Sequence, residues 1–248
     1  MDEVNNIDNP YTSDELFHFC GQKNPLSDEE NFSTLIKILS LKCISHPPHR
    51  VGWGEVTITT DYTGSVLTEN LVMPNMTCYA DIPFKGLSWH TKKYGKFGLS
   101  LPKKLLAERH ARPVTYIPYF DGDWTSNAGR VLIQDIENTY KGIYEHFIKK
   151  DSSYRLSERY MPAAPKNRAE AIYNLDVVFN MHILAFIKPF NLSLPVGHVD
   201  SYYMEREWRK FGNMMFKNEE VKTVVLASGY KRRFIEKFPE FSDRIVEI

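Results

Sequence analysis

The sequence predicts an α+β protein in which a mixed, mostly antiparallel sheet is interrupted by a helical insertion. Short β-branched and aromatic runs bounded by glycine or proline recur through the first half. Apolar residues fall at helical spacing between about 129 and 187, and strand character returns after residue 200. At 248 residues the chain can bury a full hydrophobic core without a disulfide or metal staple. We read it as one domain over 1–248 with a helical insert at about 129–190, packed on the sheet because two such helices cannot bury both faces alone.

Along the chain, residues 1–15 are a polar lead-in, and Leu16-Phe17-His18-Phe19-Cys20 is a short strand ended by Gly21. Phe32, Leu35, Ile36, Ile38 and Leu39 mark a first helix. His46-Pro47-Pro48-His49 and the glycines at 52 and 54 form an irregular connection. Strands are expected at Val56–Thr60, at Met76–Pro83, at the glycine-punctuated Tyr94–Leu101 and at Val114–Tyr119, with a short helix over Lys103–His110. Helices are expected over about 129–151 and 166–187, joined by a linker holding Pro162 and Pro165. Two further strands, Tyr202–Phe211 and Val221–Ala227, precede a basic helix.

Composition narrows the function classes. The 31 basic and 31 acidic side chains cancel, which removes the bulk electrostatic signature of a nucleic-acid binder and leaves only a local basic groove open. The longest apolar stretch, around Ile183–Ile187, stops at Lys188 and Pro189, far short of a membrane span. Met1-Asp2-Glu3 lacks the basic start of a signal peptide. Cys20, Cys43 and Cys78 are odd in number and show no CxxC spacing, which argues against a disulfide framework or a cysteine-rich zinc site. A cytoplasmic protein without a membrane partner is expected.

The most informative stretch is Tyr202-Tyr203-Met204-Glu205-Arg206-Glu207-Trp208-Arg209. In a strand, Glu205, Glu207 and Arg209 share one face, with the two carboxylates about 7 Å apart. In a cleft such a pair can stabilise an oxocarbenium cation and hold a ribose hydroxyl; on an edge strand it is solvated charge alternation. His18 can hydrogen-bond a ribose or a carbonyl, and Gly21 lets a ligand approach the backbone. Tyr94 and Phe97 can stack on a flat base or nicotinamide, although such a pattern more often reflects core packing. Phosphate-loop, nucleophile-elbow and HExxH patterns are absent.

Taken in order, the histidine strand, the helix Phe32–Leu39, the glycine-spaced aromatic strand and the late Glu-x-Glu strand resemble an ADP-ribosyltransferase fold with its split sheet. The chain is also similar to the AbiGi-like family of abortive-infection (phage resistance) proteins. That likeness is carried by Leu16–Phe19, Asp81-Ile82-Pro83, Tyr94–Leu101, Arg112–Tyr116, Phe186–Phe190 and Tyr203–Arg209.

The transferase resemblance implies a toxin-like effector that uses NAD as substrate. Its nicotinamide ribose would lie between His18 and the Glu205/Glu207 strand. Glu207 and Glu205 would be the catalytic pair, Glu207 on the ribose 2′-hydroxyl and Glu205 on the acceptor. His18, Gly21, Tyr94, Phe97 and Arg209 would bind the cofactor, and no metal is expected. The acceptor would be RNA, single-stranded DNA or a protein, with nucleic acid favoured, and an antitoxin protein would be the partner. Such transferases often place glycine or threonine after the histidine, whereas Phe19 stands here. Phage-resistance families of this kind also include antitoxins, which need no active site. The alternatives are therefore a non-catalytic antitoxin or assembly partner, and an NAD glycohydrolase.

Overall fold

Consecutive apolar residues at Leu16-Phe17 suit a strand covered on both faces, and both side chains are essentially inaccessible. They belong to β1 (Glu15–Phe19), the middle strand of a seven-stranded sheet. The structure, a computed structural model, describes residues 13–47, 49–52, 56–83, 86–123, 127–148, 165–195, 198 and 202–248. Most of the polar lead-in, Pro48, Gly54 and the linker residue Pro162 lie outside the described residues.

After β1 come α1 (Asp28–Leu41), β2 (Cys43–Ile44), β3 (Ile58–Thr60), β4 (Val72–Pro74) and β5 (Met76–Ala80). Then follow α2 (Leu87–Tyr94), β6 (Gly98–Pro102), α3 (Lys103–Glu108), β7 (Arg112–Pro113) and β8 (Thr115–Tyr119). The middle of the chain supplies α4 (Ala128–Ile143), α5 (Arg168–Val177) and β9 (Ile187–Asn191). The end supplies β10 (Glu207–Phe211), β11 (Met214–Met215), β12 (Val224–Leu226), α6 (Lys231–Ile235) and β13 (Ile245–Glu247).

These elements form a mixed α+β protein that divides into two compact units. The first comprises 1–54, 76–112 and 204–248, and the second 55–75 and 113–203.

In the first unit the sheet runs β13-β12-β6-β1-β5-β10-β7. Strand β1 pairs antiparallel with β5 and β6, β10 with β5, and β12 with β6, while β12 and β13 are parallel. The register separates two faces. Leu16, Tyr79, Leu99, Trp208 and Val224 share one face with α1 and α6, around Phe32, Phe97 and Phe234. Phe17, Phe19, Ala80 and Val225 share the other with Ile82, Leu87 and Tyr94. On the first face Glu29 of α1 accepts from Arg233 at 2.6 Å and from Tyr230 at 2.8 Å, and those two hydrogen bonds push its carboxyl down to about 2.

The second unit has its own core of Leu71, Ile117, Ile133, Tyr140, Leu184 and Ile187. Glu137 of α4 closes the turn before β4, accepting from Ser65 Oγ, the Val66 amide and Lys141 Nζ at 2.7–3.0 Å. Strands β8 and β9 are parallel, with Ile117 opposite Pro189 and Pro118 opposite Phe190. Because proline has no N–H, this register sends the amides of Ile117, Tyr119 and Phe190 inward. It turns the nitrogens of Pro118 and Pro189 away from the partner strand, to edges that pair with no other strand among the described residues.

Several expected elements change type. The aromatic-glycine strand expected from Tyr94 begins only at Gly98: Tyr94 closes α2, and Gly95 (φ 78°) turns the chain into β6. The long helix expected to Ile187 ends its regular α turns at Val177, widens over Val178–Ile183, and gives way to strand β9. The segment expected as a helical insert lies within the second unit, which also holds β3, β4, β8 and β9.

Two outcomes are expected from this packing. An added Cβ at Gly129 would sit 1.7 Å from the Pro118 carbonyl oxygen, so Gly129→Ala should lower unfolding free energy by at least ~2 kcal/mol in urea titrations. The depressed Glu29 carboxyl contributes stability that is complete above its unfolded value near 4.5 and declines as pH falls toward 2. Glu29→Gln should therefore flatten the acid limb of a melting-temperature profile below pH 4.5.

Candidate functional site

Strand β10 is shorter than the sequence suggests, and that changes its chemistry. Tyr202–Glu205 forms a tight 3-10 turn, and Arg206 adopts a left-handed backbone (φ 41°) before β10 begins at Glu207. Glu205 therefore stands ahead of the strand, not on it. Glu207 and Arg209 do share a face, opposite Ala80 and Cys78 of β5. They bond each other, with Arg209 Nε donating to Glu207 Oε1 at 2.8 Å, and each residue is under 10 % exposed.

The same face carries the end of α2. Lys93 Nζ and the Tyr94 hydroxyl both donate to Glu205 Oε1 at 2.9 Å, and Glu205 is 8 % exposed. Burial, the Glu205 carboxylate that accepts from it, and the nearby Glu207 hold the Tyr94 phenol well above the usual tyrosine range. The phenol is thus a fixed donor at neutral pH. Its ring lies 4.4 Å from that of His90, which in turn lies 4.9 Å from Phe19. Nearby, Asp81 accepts from Lys103 Nζ at 2.9 Å and from the Ser13 amide at 3.1 Å.

The remaining candidates do not join this group. His18 pairs with Leu99 of β6 and contacts the Tyr79 ring, so it lies on the sheet face opposite Glu207 and Arg209. Its Nδ1–H donates to the Cys78 carbonyl at 2.9 Å where the β1–β5 pairing gives out. Burial lowers its pKa against the raising effect of that bond, which leaves a neutral imidazole.

Gly21 is required by chain packing: its amide donates to the Tyr94 carbonyl at 2.7 Å, and a Cβ would meet that oxygen at 2.4 Å. Phe97 is inaccessible between Phe32 and Tyr230 and belongs to the core.

The structure thus gathers Glu205, Glu207, Arg209 and Tyr94, and leaves His18 and Phe97 apart from them, while Gly21 touches the group only through the backbone of Tyr94. It adds Lys93, which the sequence analysis missed; its only advance signal is two lysines in the last turn of a short helix. An NAD ribose held between His18 and β10 needs both to face one cavity. They face opposite sides of one sheet, so these residues do not fit NAD in that pose. No group of three or more His, Cys, Asp or Glu suited to a metal occurs among the described residues. None of the described helices is long and apolar enough to cross a membrane.

A family model described as "Putative abortive phage resistance protein AbiGi, antitoxin" matches residues 53–237, about three quarters of the chain. The chain belongs to the AbiGi family. Within AbiGi, the match takes in β5, α2 and β10, the elements that carry Lys93, Tyr94, Glu205, Glu207 and Arg209. No curated protein and no solved structure matches the chain, so the likeness to an ADP-ribosyltransferase fold has no structural neighbour behind it.

The left-handed Arg206 offers a direct check on how the two glutamates are set. Arg206→Val, β-branched at φ 41°, should be less stable than Arg206→Gly by about 1–2 kcal/mol in denaturant titrations.

Proposed function

We propose that this AbiGi protein acts in phage defence as a non-catalytic antitoxin, a binding partner that restrains a toxic protein. The observation that carries this reading is the engagement of both candidate carboxylates. Glu205 is held by an ammonium and a phenol, and Glu207 by a guanidinium, with both glutamates under 10 % exposed. A carboxylate that must stabilise a developing cation gains most when no other cation already neutralises it. The family description, which names an antitoxin, supports the same choice and implies a toxin as partner. Transferase or glycohydrolase chemistry would require Glu207 to leave Arg209 and meet a ribose hydroxyl. It would also require His18 to act from the opposite face.

The purified protein incubated with labelled NAD, alone and with RNA, single-stranded DNA or cell extract, should leave the NAD intact, and Glu207→Gln should behave identically. Expression of the chain alone should permit normal growth. It should also relieve the arrest caused by a co-purifying protein that is toxic when expressed alone. Label appearing on a polymer would establish the transferase instead, and free ADP-ribose the glycohydrolase.

A further inference from the structure

Helix α2 meets the sheet through little apolar surface. Among its described side chains Leu87 is the one that is fully buried, while Ser88 and Lys92 are exposed and the rest are half-buried. Eight residues cannot sustain a helix without tertiary support. The tethers are therefore decisive: the Gly21 amide bonded to the Tyr94 carbonyl, the Phe19–His90–Tyr94 ring contacts, and the paired donation of Lys93 and Tyr94 to Glu205.

The acceptor is itself set under strain. Glu205 ends a one-turn 3-10 segment joined to β10 by the left-handed Arg206, whose carbonyl accepts from the Asp81 amide at 3.2 Å. Beyond the latch, Leu87 and Tyr94 of α2 pack with Phe17, Phe19 and Ala80, and Ala80 stands opposite Glu207 in the strand register. The start of β10, which bears Glu207, therefore adjoins α2.

We infer that α2 is a releasable cover, latched by Lys93 and Tyr94 onto Glu205, and that its opening exposes Glu207 at the start of β10. The strained Arg206 is the pivot that lets the Tyr202–Glu205 turn relax when the latch breaks. This device rests on the geometry of the sheet and is independent of whether the partner is a toxin.

The test compares the wild type with a Lys93→Met, Tyr94→Phe double variant, using hydrogen exchange and carbodiimide-driven coupling of glycine ethyl ester to carboxylates. The variant should exchange the amides of 87–95 about tenfold faster, with Glu207 labelling rising in step and β6 and β12 unchanged. Wild-type protection over 87–95 would overturn the inference, as would faster exchange there without faster Glu207 labelling. An equal rise in α2, β6 and β12 would also overturn it, by showing general loosening. Should the variant fail to fold, the wild type suffices: in low urea the α2 amides should exchange through an opening that urea barely accelerates, while β6 follows global unfolding. Identical urea dependence in the two segments would refute the cover.

Discussion

Burying carboxylates on a sheet is tolerable only when each meets a cation or donor at hydrogen-bond distance, and the first unit is arranged around that requirement. Glu205 meets Lys93 and Tyr94, Glu207 meets Arg209, and Asp81 meets Lys103. Removing one partner of such a pair typically costs about 3–5 kcal/mol because the other charge is left buried and uncompensated. These pairs constrain the backbone as well. They place the end of α2 beside β10, bring the chain just after β5 close to the start of α3, and hold Arg206 in a conformation that a free chain would leave.

The second unit meets the same requirement, most fully at Glu137. Glu137 is 8 % exposed, yet a hydroxyl, a backbone amide and an ammonium satisfy it, and in doing so it fastens a turn to α4. In both units, then, charge inside the fold organises loops and helices around a rigid frame. Chemistry at an exposed cleft would call for a carboxylate left open to a ligand, whereas Glu205 and Glu207 are tied to Lys93, Tyr94 and Arg209. The antitoxin role proposed above needs a stable surface more than a poised acid, and this economy of charge suits that proposal.

Much of the frame is legible in the residues themselves. Leu16–Phe19 reads as a buried strand because its apolar run is continuous, and β5, β8, α1 and α3 follow from alternation or helical spacing. AbiGi membership was readable too, since short segments in fixed order survive without long-range geometry. Helix α2 was hidden because it is brief and weakly patterned, and β9 because Lys188-Pro189 looks like a stop; only the pairing with β8 shows that the Pro189 nitrogen points away from its partner strand.

The sequence alone determined the α+β class, the neutral charge balance, most strands and the glutamate pair as the place to look. Tertiary structure decided what that pair does. One left-handed residue, Arg206, removes Glu205 from the strand, and the strand register sends His18 to the other face. Spacing along a chain specifies which side chains can share a face, but the backbone turn and the pairing partner determine whether they do.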